Sequence, residues 1–310
     1  MQEMANLVGT VLKIGVAILA VAIGLQSRWS DVTYVFRRWP LLLRSVLARN
    51  VIVPCAAVLL VMVFPLEPVI RNILLVLSVT AVPPFLPAKQ HKAGGRLEYD
   101  IGLFASQVIF AIVLIPLSLQ VMNLVVGTDA QFPPRQVASN VGQLIMLPFV
   151  LGMVIGRLAP ASSERLARAA GRTAMLIIVV AALVILAGSW KAMISLLGNG
   201  TLIAMALLVM IGLAAGHLLG GPRNDDRTSL ALAASSSHPG LAMAIVATNA
   251  PTQARLAIAA VLLYLLVGLI VTRPYIVHQR GQRPAFKLSR SGVDRRRHHR
   301  VGADRRTEVS

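Results

Sequence analysis

SSSHPGLAMAIV, Ser235 to Val246, lies inside a run otherwise built from Ala, Leu and Ile. Proline removes a backbone N–H and clashes with the preceding turn, so Pro239-Gly240 opens the helix that the flanking residues would form. In hydrocarbon an opened backbone is tolerated only where protein or a watery cavity satisfies it. Three hydroxyls and an imidazole beside the opening therefore imply a place near the middle of a membrane that a polar solute can reach.

A second interruption has the same character. Val82-Pro83-Pro84-Phe85-Leu86-Pro87-Ala88-Lys89 places three prolines in five residues at the end of another apolar run. The breaks lie about 154 residues apart (238 minus 84), one in each half of the chain. Interrupted spans at corresponding places in two halves point to an inverted-repeat transporter with its binding site at the breaks. A Pro-Gly kink whose serines bond back to the previous turn would need no ligand, and a neutral His238 bonded to a neighbouring helix would look the same from sequence.

Around these breaks the chain is apolar. Its 310 residues are 56% hydrophobic with mean hydropathy +0.73, beyond the 45–50% of ordinary soluble domains. Nine runs are near the roughly 20 residues that cross a bilayer as a helix: about 7–25, 41–64, 68–88, 101–126, 137–159, 173–190, 201–220, 229–249 and 255–277. The expected fold is thus an all-α polytopic membrane protein with nine transmembrane helices. Met1-Gln2-Glu3 offers no basic leader and Lys13 interrupts the first run, so that run reads as a span and not as a cleaved signal.

Lys and Arg alternate between the loops. One set holds Arg28, Arg37, Arg38, Lys92, Arg96, Arg157, Arg165, Arg168, Arg172, Arg223, Arg227 and the C-terminal tail, and the other only Arg71, Arg135, Lys191 and Arg255. With nine spans the positive-inside rule puts the N-terminus outside and the C-terminus in the cytoplasm of a bacterial inner membrane. The net charge of +18 follows from this bias and from the tail, so membrane lipid, and not nucleic acid, is the expected polyanionic neighbour. Within the tail Gly292-Val-Asp-Arg-Arg296 recurs as Gly302-Ala-Asp-Arg-Arg306. Cys55, the only cysteine, excludes a disulfide or thiolate-metal framework. No His-Glu-x-x-His, Gly-x-Ser-x-Gly or phosphate-binding loop occurs, which argues against an enzyme or an ATP-driven pump. Substrate, transport direction and oligomeric state are not legible.

Several stretches resemble the bile acid:sodium symporters, which move organic anions with sodium. They are Ile23-Gly24-Leu25 followed by Arg37-Arg38-Trp39-Pro40, then Val53-Pro54, then Pro83 with the loop to Gly94-Gly95, and Gly240-Leu241-Ala242-Met243-Ala244. The resemblance covers about residues 15–277. It implies a transmembrane domain over 1–277 with a panel (about 1–27 and 135–190), a core (about 40–126 and 200–277) and two crossing discontinuous helices, followed by a basic disordered tail over 278–310. Substrate would sit between panel and core, which rock against each other.

The sodium positions that the resemblance implies depart from the family pattern. Its glutamate falls near Ala233 and its second-break glutamine near Ser237. The earlier-helix glutamine falls on Arg49 and the first-break asparagine on Lys89. Two fixed cations near one spot repel sodium, since unit charges about 4 Å apart cost about 4 kcal/mol even at an effective dielectric of 20. Sodium coupling is expected to be weakened or lost, with proton coupling or uniport in its place, and no cofactor is implied. Lys89 would stand where sodium sits, with Asp100 as counter-ion; as a cytoplasmic snorkelling anchor it would look the same. Arg49, with Arg44, would hold a carboxylate, or else bond the exposed carbonyls of a helix break. Arg49, Lys89, Ser235, Ser236, Ser237 and His238 are the expected substrate-binding residues, and Pro83, Pro84, Pro87, Pro239 and Gly240 the expected breakers. Two other outcomes are a non-transporting sensor or scaffold that signals through the tail, and an ordinary sodium symporter.

Overall fold

Two prolines each follow a widened helical turn. In the computed structural model, which describes residues 2–127, 134–249 and 254–282, a π-helical turn at Leu47–Ile52 precedes Pro54 and another at Gly142–Met146 precedes Pro148. Proline lacks the N–H that the carbonyl four residues earlier needs, and a widened turn just upstream absorbs that loss. The first such turn carries Arg49.

Every regular element among the described residues is helical. In chain order they are α1 (Gln2–Gln26), α2 (Trp29–Val32), α3 (Trp39–Val46), α4 (Val53–Val63), α5 (Pro68–Val79), α6 (Leu86–Ala93) and α7 (Leu97–Val126). After the segment 128–133 follow α8 (Pro134–Val141), α9 (Leu147–Leu158), α10 (Pro160–Ser195), α11 (Thr201–Leu219), α12 (Asn224–Ala234), α13 (Pro239–Asn249) and α14 (Ala254–Gly281). The helices up to Arg280 cluster as one compact unit. The repeated tail motif at 292–306 lies outside the described residues.

Seven stretches among them are long and apolar enough to cross a membrane: Gly9–Gln26, Trp39–Val63, Leu97–Val126, Ala138–Leu158, Pro160–Ser195, Thr201–Leu219 and Arg255–Gly281. The two remaining apolar runs, 68–88 and 229–249, are the proline-bearing ones, and each is divided into two short helices, α5 with α6 and α12 with α13. Helix α10 begins well before the run expected at 173–190. The charged stretch with Arg165, Arg168 and Arg172 continues the helix instead of forming a loop, because Ala and Leu there supply helix propensity and Glu164 pairs with Arg168 one turn on. Its 36 residues span about 54 Å at 1.5 Å each.

Glycine sets the closest helix contacts. A β-carbon on Gly212, Gly216 or Gly220 of α11 or its C-terminal cap would lie 2.6, 2.4 and 2.4 Å from Ala234 O, Leu230 O and Arg227 Cα of α12. Gly24, Gly152 and Gly156 do the same between α1 and α9, where the β-carbons would fall 2.1, 2.3 and 2.7 Å from carbonyls of Phe149, Val21 and Leu25. Without a hydrophobic force between lipid-bathed helices, small residues that bring backbones together supply the packing. α1 therefore packs on α9 and α10, and α11 on α12 and α4.

Candidate functional site at the two helix breaks

The first break begins where α5 ends at Thr80. Ala81, Val82, Pro83 and Pro84 follow without helix, and Pro87 sits in the first turn of α6, where its missing N–H has no helical partner anyway. The second break runs from Ser235 to His238, and Pro239 opens α13 in the same way. Of the expected breakers, Pro83 and Pro84 lie in the open backbone. Pro87, Pro239 and Gly240 start the second half of each divided helix.

The two breaks touch. The His238 backbone N–H donates to Thr80 Oγ1 at 3.0 Å, while Thr80 Oγ1 donates back to Leu77 O at 3.0 Å. The halves pair crosswise, α5 with α13 and α6 with α12. His238 Nδ1 accepts from Leu241 N at 3.2 Å, so the imidazole caps the first turn of α13. Its Nε2 is buried without a partner.

Arg49 closes the first break from behind. Its side chain is 1% exposed, and its two terminal nitrogens donate to Ser78 O at 2.6 Å and Thr80 O at 2.5 Å. These are the last carbonyls of α5, which the break deprives of helical donors. Arg49 is thus committed to backbone in this conformation, and only Nε lacks a partner. Arg44, the partner expected for it, has its Nη1 beside Gly221.

The remaining expected residues gather at a cavity of about 410 Å³. Lys89, Phe85, Ser235, Ser236, Ser237, Tyr264 and Thr272 line one side, and Val179, Leu183 and Leu186 of α10 the other. Lys89 Nζ lies 3.4 Å from Thr272 Oγ1. The Tyr264 phenol stands beside Ser237 and within reach of the Arg49 charge. Such a cavity is within the size range of small-molecule sites, with one cation and several hydroxyls in apolar walls. Arg49 and His238 are not among its lining residues.

The expected pairing of Lys89 with Asp100 is not formed. Lys89 faces α14 across the cavity, whereas Asp100, in the first turn of α7, faces Gly95 and Ser229. Helices α6 and α7 are joined by a tight Gly94-Gly95 turn, with Gly94 left-handed at φ 115°, which sends their side chains to different sides. Asp225 and Asp226 lie in the first turn of α12, where negative charge suits a helix N-terminus. Asp225 accepts two hydrogen bonds from Arg223, at 3.1 and 2.8 Å, which hold its carboxyl below the usual carboxylate range.

Four residues escaped sequence reasoning: Thr80, Phe85, Tyr264 and Thr272. Thr80 carried a signal, a hydroxyl just before a proline cluster. Phe85 caps α6 from the turn before it, and Tyr264 and Thr272 lie on α14, whose rotation only the packing fixes.

The profile of the sodium bile acid symporter family matches residues 13–196. The chain belongs to that family. The sodium bile acid symporters are transporters of organic anions and not enzymes, and this member is a multi-pass membrane protein. The matched segment runs from the middle of α1 to the end of α10, with Arg49 and the first break, and stops before the second break. Comparison with curated proteins gives no match.

Proposed function

We propose that this sodium bile acid symporter relative is a secondary carrier of a small organic anion, working by alternating access between a panel (1–27 and 135–190) and a core (40–126 and 200–277). The observation that carries the reading is the cavity that joins Lys89 and Ser235 to Ser237 across from α10. One wall belongs to the proposed core and the α10 wall to the proposed panel, which is where a carrier of this kind exposes substrate alternately. The crosswise pairing of α5 with α13 and α6 with α12 supports two crossing discontinuous helices related as inverted repeats. The loop-charge bias supports insertion in a bacterial inner membrane with the C-terminus cytoplasmic.

Within the cavity Lys89 supplies the positive charge that faces the anion, and the serine hydroxyls and Thr272 donate hydrogen bonds to it. Sodium does not fit the positions where the resemblance would place it. Ala233 is fully buried with no side-chain oxygen, and the Arg49 guanidinium already holds the carbonyls of the break. Anion binding in this protein therefore proceeds without sodium at the breaks, with Lys89 as the built-in cation of the cavity.

Thermal unfolding of the purified chain across a panel of organic anions, each in sodium and in choline buffer, tests this. One or more carboxylate anions should stabilise the protein equally in both buffers, and Lys89→Met should reduce their apparent affinity at least about tenfold, as loss of a charge-assisted hydrogen bond worth about 1.5–3 kcal/mol requires. Anion stabilisation that appears only with sodium would make the protein an ordinary symporter. No stabilisation by any anion would favour the sensor.

A further inference from the structure

A second cavity, of about 750 Å³, opens where α1 and α9 end, beside the first turn of α10. Its position follows from a backbone contact. A β-carbon on Gly156 would lie 2.7 Å from Leu25 O, so the last turns of α1 and α9 touch. Arg28 and Arg157, just beyond that contact, both line the cavity.

The neutral polar side chains on the wall are already committed to their own helices. Gln26 Nε2 donates to Ala22 O at 3.2 Å, Ser27 Oγ to Ile23 O at 2.8 Å and Ser163 Oγ to Pro160 O at 3.0 Å. Glu164, the acid on the wall, is paired with Arg168, so its carboxylate is not left to face a cationic group. Among the described residues neither Arg28 nor Arg157 forms an ion pair. The two guanidiniums are therefore the spare charged donors of the cavity, and the N-terminal end of α10 adds a partial positive charge. Their forked N–H groups match the oxygens of a phosphate.

The rest of the wall is apolar and open. Val150 and Val154 of α9 are 47% and 48% exposed and Leu97 of α7 is 38% exposed. All three lie in stretches long and apolar enough to cross a membrane. Trp29, next to Arg28 and 68% exposed, is of the residue type that sits at headgroup level. A small soluble anion would satisfy the arginines and leave this wall wet, whereas an amphiphile with a phosphate head and acyl chains covers both.

We propose that this cavity binds an anionic glycerophospholipid, its phosphate between Arg28 and Arg157 and its acyl chains along Val150, Val154 and Leu97. Both arginines belong to the basic set of loops, the side that the positive-inside rule turns toward anionic lipid. The cavity shares no lining residue with the one that holds Lys89, so the lipid and a transported anion would occupy separate places. Helices α1, α9 and α10 are assigned to the panel and α7 to the core, and a lipid seated here would touch both. That consequence rests on the carrier reading; the binding itself does not.

The test is native mass spectrometry of the purified chain released from detergent, with phosphatidylglycerol or phosphatidylcholine of the same acyl chains added at equal concentration. Phosphatidylglycerol should stay bound at concentrations where phosphatidylcholine leaves the chain bare. Arg28→Gln and Arg157→Gln should each weaken its binding about tenfold. Arg165→Gln, which removes the same charge from an exposed position outside the cavity, should leave it unchanged. Arg28 and Arg157 are exposed as well, so all three variants should keep the unfolding midpoint of the parent. Equal retention of the two lipids overturns the proposal, as does binding that survives both cavity variants or falls equally with Arg165→Gln. Displacement of the lipid by an equal concentration of inorganic phosphate would make this a soluble-anion site instead. Phosphatidylglycerol binding without a response to any organic anion would leave this site standing and sink the carrier; the reverse result would sink this site alone.

Discussion

Arg49 shows how one side chain can hold a broken helix in place. Two carbonyls freed by the proline cluster need donors in a water-poor interior, and a guanidinium has five N–H groups in a fixed fork. Arg49→Met removes both bonds and strands the carbonyls of Ser78 and Thr80, at a cost of about 2–5 kcal/mol. The expected outcome is a clear drop in unfolding midpoint, while any surviving fold keeps its anion response through Lys89. His238 differs, since it caps α13 with its ring and ties α13 to Thr80 with its backbone. His238→Ala keeps the second bond, loses the first, and should slow transport in reconstituted vesicles more than Ser235→Ala. Equal wild-type rates in both would make the second break a structural kink. The sequence left Arg49 two roles, holding a carboxylate or bonding the exposed carbonyls of a break, and did not choose between them, because a π turn changes which way residue 49 points and no local pattern marks it except the proline downstream.

At the level of elements, the divided helices were legible and their partners were not. Proline spacing fixed both breaks, since the ring forbids a continuous ladder whatever packs around it. The crosswise pairing depends on contacts between segments more than a hundred residues apart. The glycines of α11 held part of that information, three of them four residues apart, yet only the structure shows that they receive the backbone of α12. Gly216→Val would put a branched side chain where even a β-carbon meets Leu230 O at 2.4 Å. Overpacking of this kind costs about 1–3 kcal/mol, and pushing α12 aside displaces the serines it ends in. Lower thermal stability together with weakened anion affinity is the expected result; weakened stability alone would mean that α12 shifts without carrying the second break.

Over the whole molecule, the charge bias and the count of apolar runs suffice to recognise a polytopic membrane protein, and the order of a few short motifs suffices for the family. What lies in the cavity wall was hidden for a physical reason: the wall is formed by apolar residues of α10 that look like any lipid-facing stripe. The tail belongs to this scale too. A chain ending at Gln282 should keep its anion-dependent stabilisation and transport, because every cavity residue precedes it; loss of both would transfer the function to the tail and favour the sensor reading. Helix α10 also has a mechanical consequence. It is an uninterrupted rod whose middle, Val179 to Leu186, borders the cavity while its Pro160 end stands some 22 residues away, about 33 Å. Pivoted there, a tilt of about 10° would sweep the Pro160 end through about 6 Å. A pair of spin labels near that end and on α7 would then act as a pointer, magnifying a movement that at the cavity itself is too small to resolve.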